Sequence, residues 1–426
     1  MRSVAALLVL SFCLALASAS FEPASPAAGC SGKPNLSPIY DDAPQFVKSV
    51  PNGKLYIQRN VTPPVYIVHL YGTAYEMGYA QGQLFKDIGP KFWPSIMEYI
   101  YSQIDQYLKM FPEWLQHLIA ESGVDAALDI TGYMTEAYTP KRFFDEIRGI
   151  ADGSGTDYTT LYRIHMFPEL IQAACSMFGA WGKAIANTNG TLYQLRALDW
   201  STDGPFQQMP AVLVYHPNEG DGHTFASFGW AGFIGTISGY SSSHMGVCEK
   251  VWAGYNGTLA RVGVPWHFLL RDIMQYDTDI ADATMRMEAA RRTCAIFVGL
   301  GDYTNTFTAF GYTHDKLHIW DWKNFPVYPD HPKMEGLVYL DKHPQPSEHV
   351  CFSSLLQQYY GSITPQNTIK YITSQGETGD MQIAVYDFAS DHVYLANAGP
   401  APNAVPAYKR PFIRLDMARL FAEPKP

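Results

Sequence analysis

The sequence predicts an α+β protein in which antiparallel sheets are covered by helices and preceded by a helical lobe. Three observations predict it. The chain has 426 residues, 47% of them hydrophobic and only 16% charged, which suits a large core and excludes a disordered or coiled-coil protein. Apolar residues recur at three- and four-residue spacing between Phe92 and Ile119, the period of a helix. After Cys175 the texture changes to short β-branched and aromatic runs separated by Asn-Gly, Gly-Asp-Gly and Ser-rich turns, the pattern of strands.

Met1-Arg2, an apolar stretch from Val4 to Ala17, and Ala17-Ser18-Ala19 combine the three regions of a secretory signal peptide over residues 1–19. The mature chain is expected to start near Ser20. No later apolar stretch reaches membrane-spanning length. Residues 20 to about 60, rich in Pro, Ser, Ala and Gly, read as an irregular lead-in. A strand is expected over 65–70, and the Gly-punctuated Gly72–Leu84 approaches a helix. Phe92, Ile96, Ile100, Ile104, Leu108, Phe111, Leu115 and Leu118 mark helix, divided in two at Pro112. A third helix runs from Pro140 to Ala151 and stops at Asp152-Gly-Ser-Gly155. Residues 20–174 are therefore mainly helical. Beyond them strands are expected at 191–199, 211–215, 224–228, 245–251, 294–300, 306–312, 317–322, 382–386 and 392–396, with helices at 267–274 and 280–292.

Lys and Arg total 30 against 40 Asp and Glu, a net charge of −10, so no field attracts nucleic acid. Four sequons, at Asn35, Asn60, Asn189 and Asn256, agree with a secreted or lysosomal lumen, although Pro follows the first two. Of six cysteines Cys13 leaves with the signal peptide, and Cys30, Cys175, Cys248, Cys294 and Cys351 remain. Their number is odd. In an oxidising lumen the unpaired one is either an intermolecular bridge or a reactive thiol.

Several catalytic signatures are missing. Gly235-Thr-Ile-Ser238-Gly239 has the wrong spacing for a nucleophile elbow, and neither a His-Glu-x-x-His pair nor a phosphate-cradling loop occurs. His343 and His349 lack partners at metal-like spacing, so no metal or cofactor is expected. Cys175 stands out because it lies where helical texture gives way to strand texture, a place where a chain can be cut. Arg196 and Asp199 follow on the return strand of a hairpin turning at Asn189-Gly190, which brings a guanidinium and a carboxylate back beside the thiol. Spacing alone leaves Cys175 equally open as a disulfide partner or small hydrophobe, and Arg196 with Asp199 as a structural ion pair.

At these residues the chain resembles the acyl-coenzyme A:6-aminopenicillanate acyltransferase-like branch of the N-terminal-nucleophile (Ntn) hydrolases, a branch related to acid ceramidase. Three stretches carry the resemblance: Gly72–Leu84, Asp145–Gly155, and Cys175-Ser176 with Arg196-Ala-Leu-Asp199-Trp200; Gly229–Gly235 and Asp380–Asp387 fit more loosely. It implies a four-layer αββα fold and a precursor that cuts itself between Ala174 and Cys175, the two chains (20–174 and 175–426) staying associated. The freed Cys175 would act as nucleophile and base, Asp199 would orient its amine, and Arg196 would fix Asp199 and favour the thiolate. Where related enzymes carry an oxyanion-binding Asn, this chain has Gly239-Tyr-Ser241, so Ser241 and Asn305 are the oxyanion candidates. Trp230, Phe233 and Tyr240 are candidates for a lipid pocket, against the background that most rings in so apolar a chain are core.

The implied activity is hydrolysis of a linear amide, an N-acyl amide or ceramide-like lipid, through a Cys175 thioester. A phospholipase-B-like ester hydrolase or an amine acyltransferase would use the same residues. The rival from another class is a secreted binding protein that keeps the fold without catalysis. The enzyme reading expects one free thiol, with disulfides among Cys30, Cys248, Cys294 and Cys351.

Overall fold

Leu192–Asp199 is buried at all eight positions, the mark of a strand covered on both faces, and the whole architecture follows from two sheets that each need two covers. The computed structural model describes residues 27–110, 113–170, 173–186, 190–401 and 404–426; the signal segment, Phe111, Pro112 and Asn189 lie outside them. The described chain opens with β1 (Ile39–Tyr40), β2 (Gln45–Val50), β3 (Gly53–Gln58) and β4 (Val65–Gly72). The stretch expected to be irregular therefore carries a hairpin. Pro51 and Asn52, the latter at φ 62°, supply its turn, and Leu55 and Ile57 alternate inward from β3.

The helical lobe follows: α1 (Ala74–Leu84), α2 (Gly89–Tyr107), α3 (Glu113–Glu136), α4 (Lys141–Ser154) and α5 (Tyr158–Met166). Thr73 and Glu76 close a capping box on α1. Phe92, Ile96, Ile100 and Ile104 form the buried stripe of α2. α3 runs well past the expected end near Ile119, turning at Gly123 with φ 84°. Two of the three family-like stretches meet here, because α1 packs on α4 backbone to backbone. A Cβ on Gly78 would lie 2.1 Å from the Glu146 carbonyl oxygen, and one on Gly149 2.3 Å from that of Tyr75. Their glycines serve helix packing.

Next come β5 (Ala174–Trp181), β6 (Leu192–Asp199), β7 (Pro210–Pro217), β8 (Phe225–Trp230), β9 (Ser238–Ser241), β10 (Gly246–Val251), α6 (Trp266–Tyr276) and α7 (Ile280–Ala289). The chain continues through β11 (Ala295–Gly301), β12 (Phe307–Thr313), β13 (Leu317–Trp320), β14 (Leu337–Leu340), α8 (Val350–Gln358) and α9 (Pro365–Asn367). It ends with β15 (Gln382–Asp387), β16 (His392–Asn397), β17 (Phe412–Asp416) and α10 (Met417–Phe421).

One sheet has the order β1-β17-β16-β15-β6-β5-β14 and the other β13-β12-β11-β10-β9-β8-β7-β4-β3-β2. Pairing is antiparallel except at β1–β17 and β4–β7. Met177, Val212, Phe228, Cys248, Phe297 and Ala384 fill the layer between the sheets. α1, α4 and α6 cover the ten-stranded sheet. Leu355 of α8, with Ile369 and Ile372, covers Leu195, Ile383 and Val385 of the seven-stranded one. The result is two mainly antiparallel sheets covered by helices, as the sequence predicts, in the αββα order that the resemblance implies.

Candidate active site

In the β5–β6 ladder Ala174 pairs with Asp199, Cys175 with Leu198, and Met177 with Arg196. Side chains alternate along a strand, so Cys175 and Arg196 share the face that Met177 turns toward the other sheet, while Ala174 and Asp199 share the opposite face. Arg196 Nη2 stands 3.6 Å from Cys175 Sγ and 3.7 Å from Glu249 Oε2. All three residues are fully or almost fully buried. Asp199 is held elsewhere: its carboxylate accepts from Thr378 Oγ1 at 2.7 Å and the Gly379 N–H at 2.9 Å, with Lys342 Nζ at 3.6 Å. Arg196 therefore pairs with Glu249 and does not fix Asp199. Residues three apart on a strand point to opposite faces.

Electrostatics keep the thiol latent. Burial pushes Cys175 up to about 12, against the pull of Arg196 and Lys250. Burial also lifts Glu249 to about 7 despite Arg196 and Lys250. Asp199 is raised by burial against Lys342, Thr378 and Gly379, and Asp380 rises to about 6 through burial and its neighbour Asp199. Burial lowers Lys250.

Two hollows flank the Ala174–Cys175 bond. On one side a cavity of about 100 Å³ is walled by Ala173, Leu198, Trp200, Trp230, Phe233 and Ile237, with Arg196 and Glu249 at its polar end. On the other, Ala174, Asp199, Lys342, His343 and Asp380 line a polar cleft. Trp230 and Phe233 thus line the apolar cavity, as expected of pocket residues. Tyr240 does not, since its ring packs between the sheets and its hydroxyl donates to Asp391 at 2.8 Å.

The oxyanion candidates are not brought to Cys175. Ser241 ends β9 in a turn, its hydroxyl 2.6 Å from that of Ser243 and its N–H on the Met245 carbonyl. Asn305 sits at φ 58° in the β11–β12 turn, its N–H on the Asp302 carbonyl. Both serve local turns. Cys30 and Cys351 form a disulfide, whereas Cys248 and Cys294 are free, correcting the expectation that both were paired. Cys248 lies between the sheets, 3.5 Å from Met177 Sδ. Cys294 packs on the helix-covered side, 3.2 Å from Glu169 Oε2. Among the sequons Asn35 is buried with its amide donated to the Arg410 carbonyl at 2.9 Å, so it is no acceptor in the folded chain. Asn60 and Asn256 are exposed.

His343 stacks on His349 and bonds Asp341, and no group of three potential metal ligands occurs among the described residues. Nor is any described helix long and apolar enough to cross a membrane. The sequence reading missed Glu249, Lys250, Thr378 and Asp380. The available signal was Glu249-Lys250, two charges inside an otherwise apolar strand, which is costly unless put to use.

No family model matches the sequence. Among solved structures the chain is similar to a Caenorhabditis elegans N-acylethanolamine-hydrolyzing acid amidase ortholog, with 9% identity, a TM-score of 0.39, and coverage of 57% of this chain and 100% of that one. It is also similar to penicillin V acylase from Agrobacterium tumefaciens, with 12% identity, a TM-score of 0.34, and coverage of 57% and 87%. Among proteins compared by sequence, dcd1A of Dictyostelium discoideum is 44% identical over 420 residues, covering 92% of this chain and 94% of the relative. Protein dcd1B of the same organism is 43% identical over 410 residues, covering 91% and 81%. With more than two-fifths of its residues shared along almost its whole length, the chain belongs to the family of proteins dcd1A and dcd1B.

Proposed function

We propose that the protein is a self-processing cysteine amidase of the Ntn type. It cuts itself between Ala174 and Cys175, then hydrolyses a linear amide with an apolar acyl group, such as an N-acyl amide or ceramide-like lipid, in a secretory or lysosomal lumen. The observation that carries this reading is that buried Cys175, with a guanidinium 3.6 Å from its sulfur, directly follows Ala173, which lines an apolar cavity, and Ala174, which lines a polar cleft. The apolar side suits an acyl chain and the acidic side an amine or amino alcohol.

In the uncut chain the cavity of about 100 Å³ is below the ~300 Å³ typical of a ligand pocket. Ala173 is part of its wall, so release of the chain before Cys175 opens it. The new α-amine has an ordinary pKa of about 7.7–8.0, near the thiol value of about 8.5, and so takes the thiol proton and later protonates the leaving amine. Asp199, opposite Ala174 in the ladder and anchored by Thr378 and Gly379, orients that amine. Arg196 favours the thiolate.

The test is N-terminal sequencing of the purified secreted protein. A terminus beginning Cys175-Ser176-Met177-Phe178 is expected, and Cys175→Ala stays whole. An intact, active wild-type chain refutes self-processing. Screening N-acyl amides against phospholipids then separates amidase from ester hydrolase, and turnover of phospholipid alone overturns the amide assignment.

A further inference from the structure

The turnover just proposed uses the freed α-amine of Cys175 as its base. Before the cut that nitrogen is an amide and accepts no proton, so the maturation step needs a different acceptor within reach of the thiol.

The register of the two sheets supplies one. Gly246 of β10 lies against Gln194, whose Oε1 is 3.0 Å from where a Cβ on Gly246 would sit, and Gln194 pairs with Gly179 of β5. Two residues on, Cys248 meets Met177 at 3.5 Å. Two further, the same spacing carries Lys250 toward Cys175, and each of the two acts electrostatically on the other. Alternation turns the Lys250 side chain toward β5, as it does that of Cys248. Lys250 has no exposed surface, and its Nζ has no hydrogen-bond partner among the described residues. A buried ammonium in that state is expensive, whereas a neutral amine is tolerated. The charged and titratable groups that act on it are Cys175 and Asp199 from β5 and β6, Glu249 beside it on β10, and Asp341 just after β14. All four raise its proton affinity, while burial, the largest influence, lowers it. Glu249 suits the task less well, because its carboxylate is turned to Arg196 and the apolar cavity. Asp199 is on the far face of the strand.

We propose that Lys250, as the neutral amine, is the proton shuttle of the self-cleavage step. The inference rests on the self-processing reading above. Lys250 Nζ takes the proton from Cys175 Sγ, and the thiolate attacks the Ala174 carbonyl carbon. As the Ala174 C–N bond breaks and the C–S bond remains, the Lys250 ammonium returns its proton to the departing Cys175 nitrogen. The products are a thioester and a free amine, with Lys250 neutral again. Water then hydrolyses the thioester to the Ala174 carboxyl and the Cys175 thiol. Loss of a positioned general base costs about 10²–10⁴-fold in rate.

The experiment follows cleavage of the pulse-labelled full chain on reducing gels, with protease resistance and the Cys30–Cys351 disulfide reporting folding. Lys250→Met and Lys250→Arg are expected to slow the cut at least a hundredfold, the second because a guanidinium stays protonated and does not accept the thiol proton. In Lys250→Ala, added ethylamine restores cleavage in proportion to its free-base concentration, a rescue that a purely structural lysine does not show. Wild type that never cuts, or Cys175→Ala that does, sinks the self-processing reading itself. Wild type that cuts and Cys175→Ala that does not, together with Lys250→Arg cutting at the wild-type rate or Lys250→Ala unresponsive to ethylamine, overturns the role of Lys250 and leaves that reading standing.

Discussion

Glu249 offers a quantitative check on the electrostatics of the site. Its carboxyl is 2% exposed and lifted by burial from 4.5 to about 7. A carboxyl raised on folding binds its proton more tightly in the native state, so its contribution to stability is fully present below pH 4.5 and lost as pH rises through 7. At pH 5 that contribution is about 2.5 kcal/mol larger than at pH 8, each tenfold gain in proton affinity being worth about 1.4 kcal/mol. The buried histidines act oppositely. Burial holds His69 at about 3 and His165 and His216 at about 4, so each lowers stability as pH falls below its ordinary range. The difference between two proteins cancels them. In a Cys175→Ala background, which keeps the chain whole, urea unfolding of the Glu249 protein and its Glu249→Gln variant is measured from pH 8 to pH 5. The Glu249 protein is expected to gain about 2.5 kcal/mol on the variant across that range. Curves that stay parallel within about 0.5 kcal/mol would show that the carboxyl is not buried as described, and the account of the latent thiol would fall with it.

Two further outcomes are expected. Cys30 and Cys351 lie on opposite sides of the proposed cut, so the processed protein runs as one band without reductant and as two with it; Cys30→Ser gives two bands either way, because no covalent bond then joins the two chains. Ile237→Trp narrows the apolar cavity and, by excluding two methylenes at ~0.8 kcal/mol each, is expected to lower kcat/KM for long-chain N-acyl amides about 15-fold relative to acetyl amides. An unchanged chain-length profile in that variant removes the cavity from acyl recognition.

Much of this protein was written in local pattern. The stripe of α2, the stop of α4 at Gly155 and the strands after Cys175 are set by period, cap and turn residues, which act over a few positions and need no partner. The hairpin of β2 and β3 escaped notice because Pro, Ser and Gly dominate its surroundings and only its pairing with β4 gives it sheet character. Cys175, Arg196 and Asp199 were legible as a set, since one hairpin brings them together. Their division between two faces was not. It is fixed by the pairing of β5 with β6, which puts Arg196 beside Glu249 and Asp199 beside Thr378. The same holds for Lys250. Two charges in an apolar strand were visible in the sequence, but only the stacking of one sheet on another decides which side chain a buried amine meets. Which residues form strands depends on near neighbours, whereas the charge environment of a thiol depends on residues far along the chain that the packing of sheets brings within a few ångströms.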